Sequence, residues 1–505
     1  MPSPSDLYQQ FFSANAVEEN IALSRVPEKV WQENGPKKAL DNFHLSAEHV
    51  PAYKDFLKHH NINPTKINSI GDFEKVPCTD KESYLTKYPL NELCFGGDIA
   101  RNTIISSSSG SSGKPFYWPR VLDQDINAAK FIEMHYINNF SIDKISTLLI
   151  VCLGMGVWTA GEMMSGSGKL ISQKQALFSV ITPGLALEEI LKILRNVSPL
   201  YKQSLMIGYP AYIKDIIDTC VKEGLDLNRL SLKVLVGGEP ITEEWRGHVF
   251  EKARMKNRLK DITSLLGSSE GGMIGFETPI CTLVRRECFK NKEITQSLFN
   301  NHTIPSIVQY NPMGKYMESV NNELILTSMG GIPLIRYNTK DNGSVLSLQN
   351  VLEILSRHGF TQERIIKELS SSSLWTFPFA YLFGRTNIMT TLYAVNIYPE
   401  NIKAALVDNR VRNHITGRFA MKTAENKNCD QSLEIFIELG QKEIAGVKLK
   451  NLLTKVISEK LKKLNSEYKK LTESVNRKNL ITLKLQPFGD KRYFSSDKQK
   501  YVITS

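Results

Sequence analysis

The chain has 505 residues, a hydrophobic fraction of 41%, a charged fraction of 23% and a formal net charge of +11. This length exceeds one hydrophobic core and suggests about two to four domains, and the composition excludes a disordered or fibrous chain. No run of about 18 apolar residues appears, so no transmembrane helix is expected.

The N-terminus, Met1-Pro2-Ser3-Pro4-Ser5-Asp6, has neither the basic nor the apolar region of a secretory signal. Seven scattered cysteines read as reduced thiols, and the expected compartment is the cytoplasm. The first hundred residues are expected to be mostly helical. Val50 to Leu57 carries apolar residues at helical spacing, and Pro77-Cys78-Thr79-Asp80-Lys81 reads as a turn and N-cap. From about Ile104 short apolar runs alternate with amphipathic helices. Leu148 to Leu153 reads as a buried strand ending at Gly154, and Val234-Leu235-Val236 as a second, ending at Gly237-Gly238. Helices are expected between them at Glu188 to Leu194 and Tyr212 to Val221. Strands alternating with helices predict a parallel α/β sheet.

The last part of the chain differs. Leu433, Ile435 and Ile437 alternate as in a half-buried strand; Leu449 to Leu464 follows at helical spacing; Ile481, Leu483 and Leu485 alternate again. Strand, helix, strand predicts a small α+β domain. The boundary falls near Phe383 to Asn387, which gives domains 1–383 and 384–505. Lys460-Leu461-Lys462-Lys463 and Lys469-Lys470 read as a solvated helix face. No zinc-finger or RNA-recognition spacing accompanies them, and no nucleic-acid partner is expected.

Ser106-Ser107-Ser108-Ser109-Gly110-Ser111-Ser112-Gly113-Lys114-Pro115 follows the strand-like Thr103-Ile104-Ile105. Its glycines let backbone N–H groups turn inward around an anion, its hydroxyls donate further hydrogen bonds, and Lys114 adds a compact positive charge. The alternative is a flexible linker; against it, Phe116-Tyr117-Trp118 embeds the segment in a fold. The spacing is not that of a Walker loop.

This segment resembles the signature loop of the acyl-adenylate-forming superfamily of acyl-CoA synthetases, peptide-synthetase adenylation domains and luciferases. Four more segments follow in that superfamily's order. Gly237-Gly238-Glu239-Pro240-Ile241-Thr242 resembles its adenine-side loop, and Gly267-Ser268-Ser269-Glu270 the segment ending in its magnesium-side glutamate. Pro333 to Asp341 resembles the strand and loop ending in its ribose-binding aspartate, and Gly384-Arg385-Thr386 its interdomain hinge. Val50-Pro51-Ala52-Tyr53, Pro77 to Lys81 and Gly208-Tyr209-Pro210-Ala211-Tyr212 resemble the phenylacetate–coenzyme A ligase branch.

The resemblance implies a large multi-subdomain α/β adenylating domain with a small mobile α+β C-terminal domain. It implies attack of a carboxylate on the ATP α-phosphate, release of pyrophosphate, and acyl transfer to a thiol, coenzyme A foremost. The acid is expected to be aromatic or apolar. Ser108, Ser109, Gly110, Ser111, Ser112, Gly113 and Lys114 would hold the phosphates, and Gly238, Glu239, Pro240 and Ser269 would line the nucleotide. Glu270 would hold Mg²⁺ and act in catalysis, Asp341 would accept the ribose hydroxyls, and Arg385 would meet ribose or phosphate. Lys498 would reach in during adenylation, with Lys500 as its neighbour. The bland counterparts are a surface carboxylate for Glu270, an Asp-Asn-Gly turn for Asp341 and a frayed basic tail for Lys498.

Two segments depart from the family pattern. Asn387 and Ile388 stand where aspartates follow the hinge, and Tyr393-Ala394 replaces Arg-Gly before Val395-Asn396. Both touch the thioester-forming conformation, so a carrier protein or an amine is the rival acceptor. A nucleotide-binding regulatory protein without catalysis is the rival from another class, and a homodimer is an assembly the resemblance allows. Cys281, Cys288 and His302 lack a recognised zinc spacing and read as ordinary residues. Gly154 to Met164 reads equally as core or as an acyl-pocket wall.

Overall fold

The computed structural model describes residues 3–101, 104–107, 116–369, 372–384, 390–441, 443–474, 480–490, 492–494 and 501–503. Its centre is an eleven-stranded sheet. From one edge the strands are Tyr316–Val320, Glu323–Ser328, Leu334–Leu346, Phe379–Gly384, Ser306–Tyr310, Gly272–Phe276, Ile262–Ser268, Leu232–Val236, Gln203–Gly208, Thr147–Cys152 and Phe178–Ile181. The last five pair in parallel. The others pair antiparallel.

The expected parallel sheet is therefore one half of a mixed one. Helices Thr159–Lys174, Leu187–Asn196, Pro210–Lys222 and Glu243–Lys252 supply the long crossovers that parallel pairing needs. Ser268 pairs with Gly272, so only three residues join those two strands. A connection that short returns the chain antiparallel.

The N-terminal helices Pro4–Ser13, Ala16–Leu23, Glu28–His49 and Pro51–His59 are tied to the sheet by buried polar contacts. The Trp375 indole is fully buried and donates to Asn20 Oδ1 at 2.8 Å, and Trp31 donates to Thr376 Oγ1 at 2.9 Å. Asp80 caps the single π turn Lys81–Leu85. Just before it, Thr79 bridges in parallel to Tyr337: its N–H donates to the Arg336 carbonyl at 3.0 Å and its carbonyl accepts from Asn338 at 2.8 Å. Arg336 is buried and donates to the carbonyls of Phe73, Glu74 and Val76. The N-terminal segment thus braces the strand that carries Asp341.

Among the described residues after Gly384 none joins the large sheet. Thr390–Leu392 and Val395–Ile397 form a hairpin. Ile415–Glu425, Gln431–Leu439 and Ile481–Gln486 form a three-stranded sheet whose last two strands run parallel across helices Val447–Leu464 and Ser466–Ser474. This is the strand, helix, strand pattern read from the sequence. One buried apolar cluster joins Leu148 and Ile150 of the large sheet, through Tyr212 and Ile213, to Tyr393, Val395, Ile435 and Leu453. Lys462, Lys463, Lys469 and Lys470 are exposed and Lys460 is half-buried, and the Lys470 ammonium stands 4.9 Å from the Trp158 ring centroid. Among the described residues no helix is long and apolar enough to cross a membrane.

Candidate functional site

Ile104–Ser107 and Tyr117–Arg120 form a two-stranded ribbon, and Ser108 to Pro115 connects its ends. Ser108, Ser109, Gly110, Ser111, Ser112, Gly113 and Lys114 lie outside the described residues, but the feet of the connection are firmly held. Arg120 is buried and donates to Ser106 Oγ at 3.2 Å, and it pairs with Asp125 at 2.9 Å and with Glu162. Ser107 N–H donates to the Val157 carbonyl at 2.8 Å.

Ser269 and Glu270 lie in the tight turn that ends strand Ile262–Ser268. The Ser268 hydroxyl accepts the Gly271 N–H at 2.9 Å and closes the turn. Glu270 and Asp341 line one cleft of about 450 Å³, with Gly267, Ser268, Tyr337 and Thr339. Both acids are half-buried. Thr339 Oγ1 accepts the Asp341 N–H at 3.3 Å, and Lys340 (φ +60°) turns outward to pair with Asp80 at 3.0 Å. Two carboxylates from distant motifs therefore face one space, while the lysine between Thr339 and Asp341 points away from it.

The loop Gly237 to Thr242 begins at the carboxyl end of Leu232–Val236, where ligands bind in open α/β sheets. Gly238 has φ +86°, and a Cβ there would lie 3.1 Å from Ala394 Cβ. Gly238 and Pro240 are exposed and Glu239 is buried. The Glu239 carboxylate faces away from solvent and accepts the Gln431 amide at 2.8 Å on one oxygen. Burial pushes its pKa up to about 8; Gln431 opposes the shift and nearby Glu425 adds to it.

Behind this loop lies a buried charge network. Arg246 pairs with Glu243 and Glu277, and Arg285 with the same two acids. Glu277 also accepts the Ser264 N–H at 2.9 Å. Burial works against ionisation of Glu243, yet Arg246 and Arg285 hold it below the usual carboxylate range. The network fixes helix Glu243–Lys252 and the strand leading to Glu270 against each other.

A second cleft, of about 490 Å³, lies between the large sheet and the C-terminal elements. Gly154, Trp158, Tyr209 and Tyr212 line one side; Tyr393, Ala394, Glu467 and Lys470 line the other. Tyr393 and Ala394 form the two-residue turn between Leu392 and Val395, with φ +50° and +62°. Such turns favour Asn-Gly; side chains with a Cβ there cost roughly 1–2 kcal/mol each, so contacts on both sides must hold the turn. The glycine-broken segment divides its roles: Gly154 and Trp158 line this cleft, while Met163 and Met164 are buried in the core.

Arg385, Asn387, Ile388, Lys498 and Lys500 lie outside the described residues. Cys281 and Cys288 are buried, and burial pushes both thiols up to about 12; His302 is exposed. Among the described residues the one gathering of potential metal ligands is Asp215, Asp218 and Asp430. Lys214 pairs with Asp218 at 2.6 Å, with Asp215 at 4.0 Å and with Asp430. Reading the sequence does not single out Gln431, Lys214 or the Glu243–Arg285 network, because their partners are distant in the chain and no local pattern marks them.

No family model matches the chain. It is 23% identical over 366 residues to a phenylacetate–coenzyme A ligase of Aromatoleum evansii, which covers 72% of each chain. It is 24% identical over 368 residues to one of Thermus thermophilus, covering 71% of each. Among solved structures it superposes on 2-hydroxyisobutyryl-CoA ligase, in complex with its acyl-AMP and CoA, with a TM-score of 0.60 at 15% identity, over 100% of this chain and 93% of that one. The chain is thus similar in sequence to phenylacetate–coenzyme A ligases and in fold to 2-hydroxyisobutyryl-CoA ligase.

Proposed function

We propose that the chain activates a carboxylic acid with ATP to an acyl-adenylate and then transfers the acyl group to the thiol of coenzyme A, as the names of its relatives suggest. The observation that carries this reading is the convergence of Glu270 and Asp341, from two motifs far apart in the chain, on one cleft. The proposed units are 1–383, which binds ATP and acid, and 384–505, which moves over it. The proposed acid is aromatic or apolar, in keeping with the Trp158, Tyr209 and Tyr212 wall. No disulfide links the described cysteines, in keeping with a reducing compartment, proposed as the cytoplasm. A homodimer is compatible with this reading.

The reaction gathers negative charge on the α-phosphate and the departing pyrophosphate, so it calls for positioning and cations more than for an acid–base pair. In the proposed roles Ser108 to Lys114 hold the β- and γ-phosphates and Lys498 supplies positive charge at the reacting centre. Asp341 accepts the ribose hydroxyls, with Arg385 beside it, and Gly238 to Pro240 with Ser269 line the base. Glu270 offers a half-buried carboxylate oxygen, a donor that suits Mg²⁺. When bound there, the ion would neutralise phosphate charge.

Asp341→Ala is expected to weaken ATP binding and adenylation together, by about 10- to 100-fold, because charged hydrogen bonds to ribose act in the ground state and the transition state alike. Titration calorimetry with a non-hydrolysable ATP analogue checks this. Unchanged affinity would reduce Asp341 to a turn former.

A further inference from the structure

The C-terminal elements meet the adenine-side loop through one side chain. Gln431 opens strand Gln431–Leu439. Its Oε1 accepts the Tyr393 N–H at 2.8 Å, and its Nε2 donates to Glu239 at 2.8 Å and to Glu425 at 3.2 Å. One carboxamide thus ties the left-handed Tyr393–Ala394 turn to the buried acid of the opposite unit. Next to it, Asp430 is pinned by Lys214, whose side chain is 1% exposed and also grips Asp218. The three aspartates therefore surround an ammonium group and form an ion-pair knot. What the knot and Gln431 jointly fix is the turn that walls the second cleft.

Resting on the functional reading above, we propose that Gln431 is a positioning residue for acyl transfer, locking the Tyr393–Ala394 turn onto the Glu239 loop while the acceptor thiol attacks. In that step the thiolate sulfur, its proton already given to water, bonds to the acyl carbon, and the bond from that carbon to the AMP oxygen breaks. AMP leaves with the electron pair. In the proposed function adenylation is the separate step assigned to Lys498, so this contact is expected to matter for transfer and not for pyrophosphate release. The lock matters in this chain because Tyr393 and Ala394 hold a turn that their side chains disfavour.

Docking also takes up a proton. Gln431 sits on the buried Glu239 carboxylate, and the titratable groups facing it are Glu425 and Tyr209. With the units docked its carboxyl is raised to about 8, and uncovered it returns toward an ordinary carboxylate value. Between those values docking weakens as pH rises, by up to about tenfold per unit. Above about pH 8 the dependence levels off.

The test is single-turnover kinetics on the full chain: preform the adenylate, add coenzyme A, and compare wild type with Q431A and Q431N. Transfer is expected to slow by about tenfold or more in Q431A, with pyrophosphate release within about twofold of wild type. Q431N, too short to span both partners, is expected to fall near Q431A. The falling limb of the wild-type transfer rate between about pH 6 and 8, measured relative to E239Q, is expected to vanish in Q431A. Hydrogen exchange of residues 390–397 gives a readout independent of activity, with protection expected to drop in Q431A. Equal transfer rates in wild type and Q431A, or unchanged protection, would overturn the lock. If wild type releases no acid-dependent pyrophosphate, the functional reading itself fails; if its adenylate ignores coenzyme A, the exchange result decides the lock alone.

Discussion

Lys498→Ala is expected to lower acid-dependent pyrophosphate release by about 10²- to 10³-fold while ATP still binds. A cation placed where charge develops stabilises the transition state more than the bound substrates, so its loss appears in turnover and not in nucleotide affinity. The segment is tethered just beyond this position. Val502 bridges to Met421, and the Tyr501 ring lies 4.0 Å from Lys403 Nζ. Residues 501–503, a few positions further on, are thus held to the C-terminal sheet. Transfer from preformed adenylate is expected to be unaffected by Lys498→Ala. Rapid-quench measurement of both steps checks the pair. Full adenylation in Lys498→Ala, with loss in Lys500→Ala, would reassign the role to Lys500.

The second large effect concerns stability. Glu277→Ala is expected to destabilise the fold by about 3–5 kcal/mol, because it leaves two buried guanidinium groups short of a partner. Glu277 is fully buried and contacts both Arg246 and Arg285, and its second oxygen satisfies a strand N–H. Glu243 remains, but one carboxylate cannot neutralise two arginines. Glu243 carries a pH consequence too. Its pKa is lowered in the fold, so its contribution is present above the ordinary glutamate value and is lost as pH falls through the lowered one. Denaturant unfolding of both chains at neutral pH checks the mutation. A loss below about 1 kcal/mol would show that the arginines are neutralised by other groups.

Much of the fold is legible in local pattern. Thr147–Cys152 is a run of apolar residues with all six positions buried, as a strand covered on both faces requires. The alternation of Leu433, Ile435 and Ile437 marks a strand in which these three are fully buried, while Phe436 and Glu438 on its other face are buried as well. The antiparallel half escaped because periodicity does not report direction; the three-residue link at Ser269 to Gly271 decides it, and a short link between two strands is visible only once both strands are known. In the candidate site, motif order pointed to the loops, and the fold places Glu270 and Asp341 on one cleft. Glu239 shows where motif reading stops. Its loop matches the adenine-side pattern, yet its carboxylate turns to Gln431, a partner that no spacing links to it. Tyr393-Ala394 was legible as a departure from Arg-Gly, but its left-handed backbone was not, because neither residue signals positive φ.

The central claim is that this chain joins a carboxylic acid to AMP. Exchange of labelled pyrophosphate into ATP tests it most directly, with a panel of aromatic and aliphatic acids and the intact protein with Mg²⁺. Exchange is expected to depend on one class of acid and, once coenzyme A is added, AMP and thioester are expected to form in equal amounts. ATP hydrolysis to ADP and phosphate, or an absence of exchange with every acid while ATP binds normally, would contradict the claim.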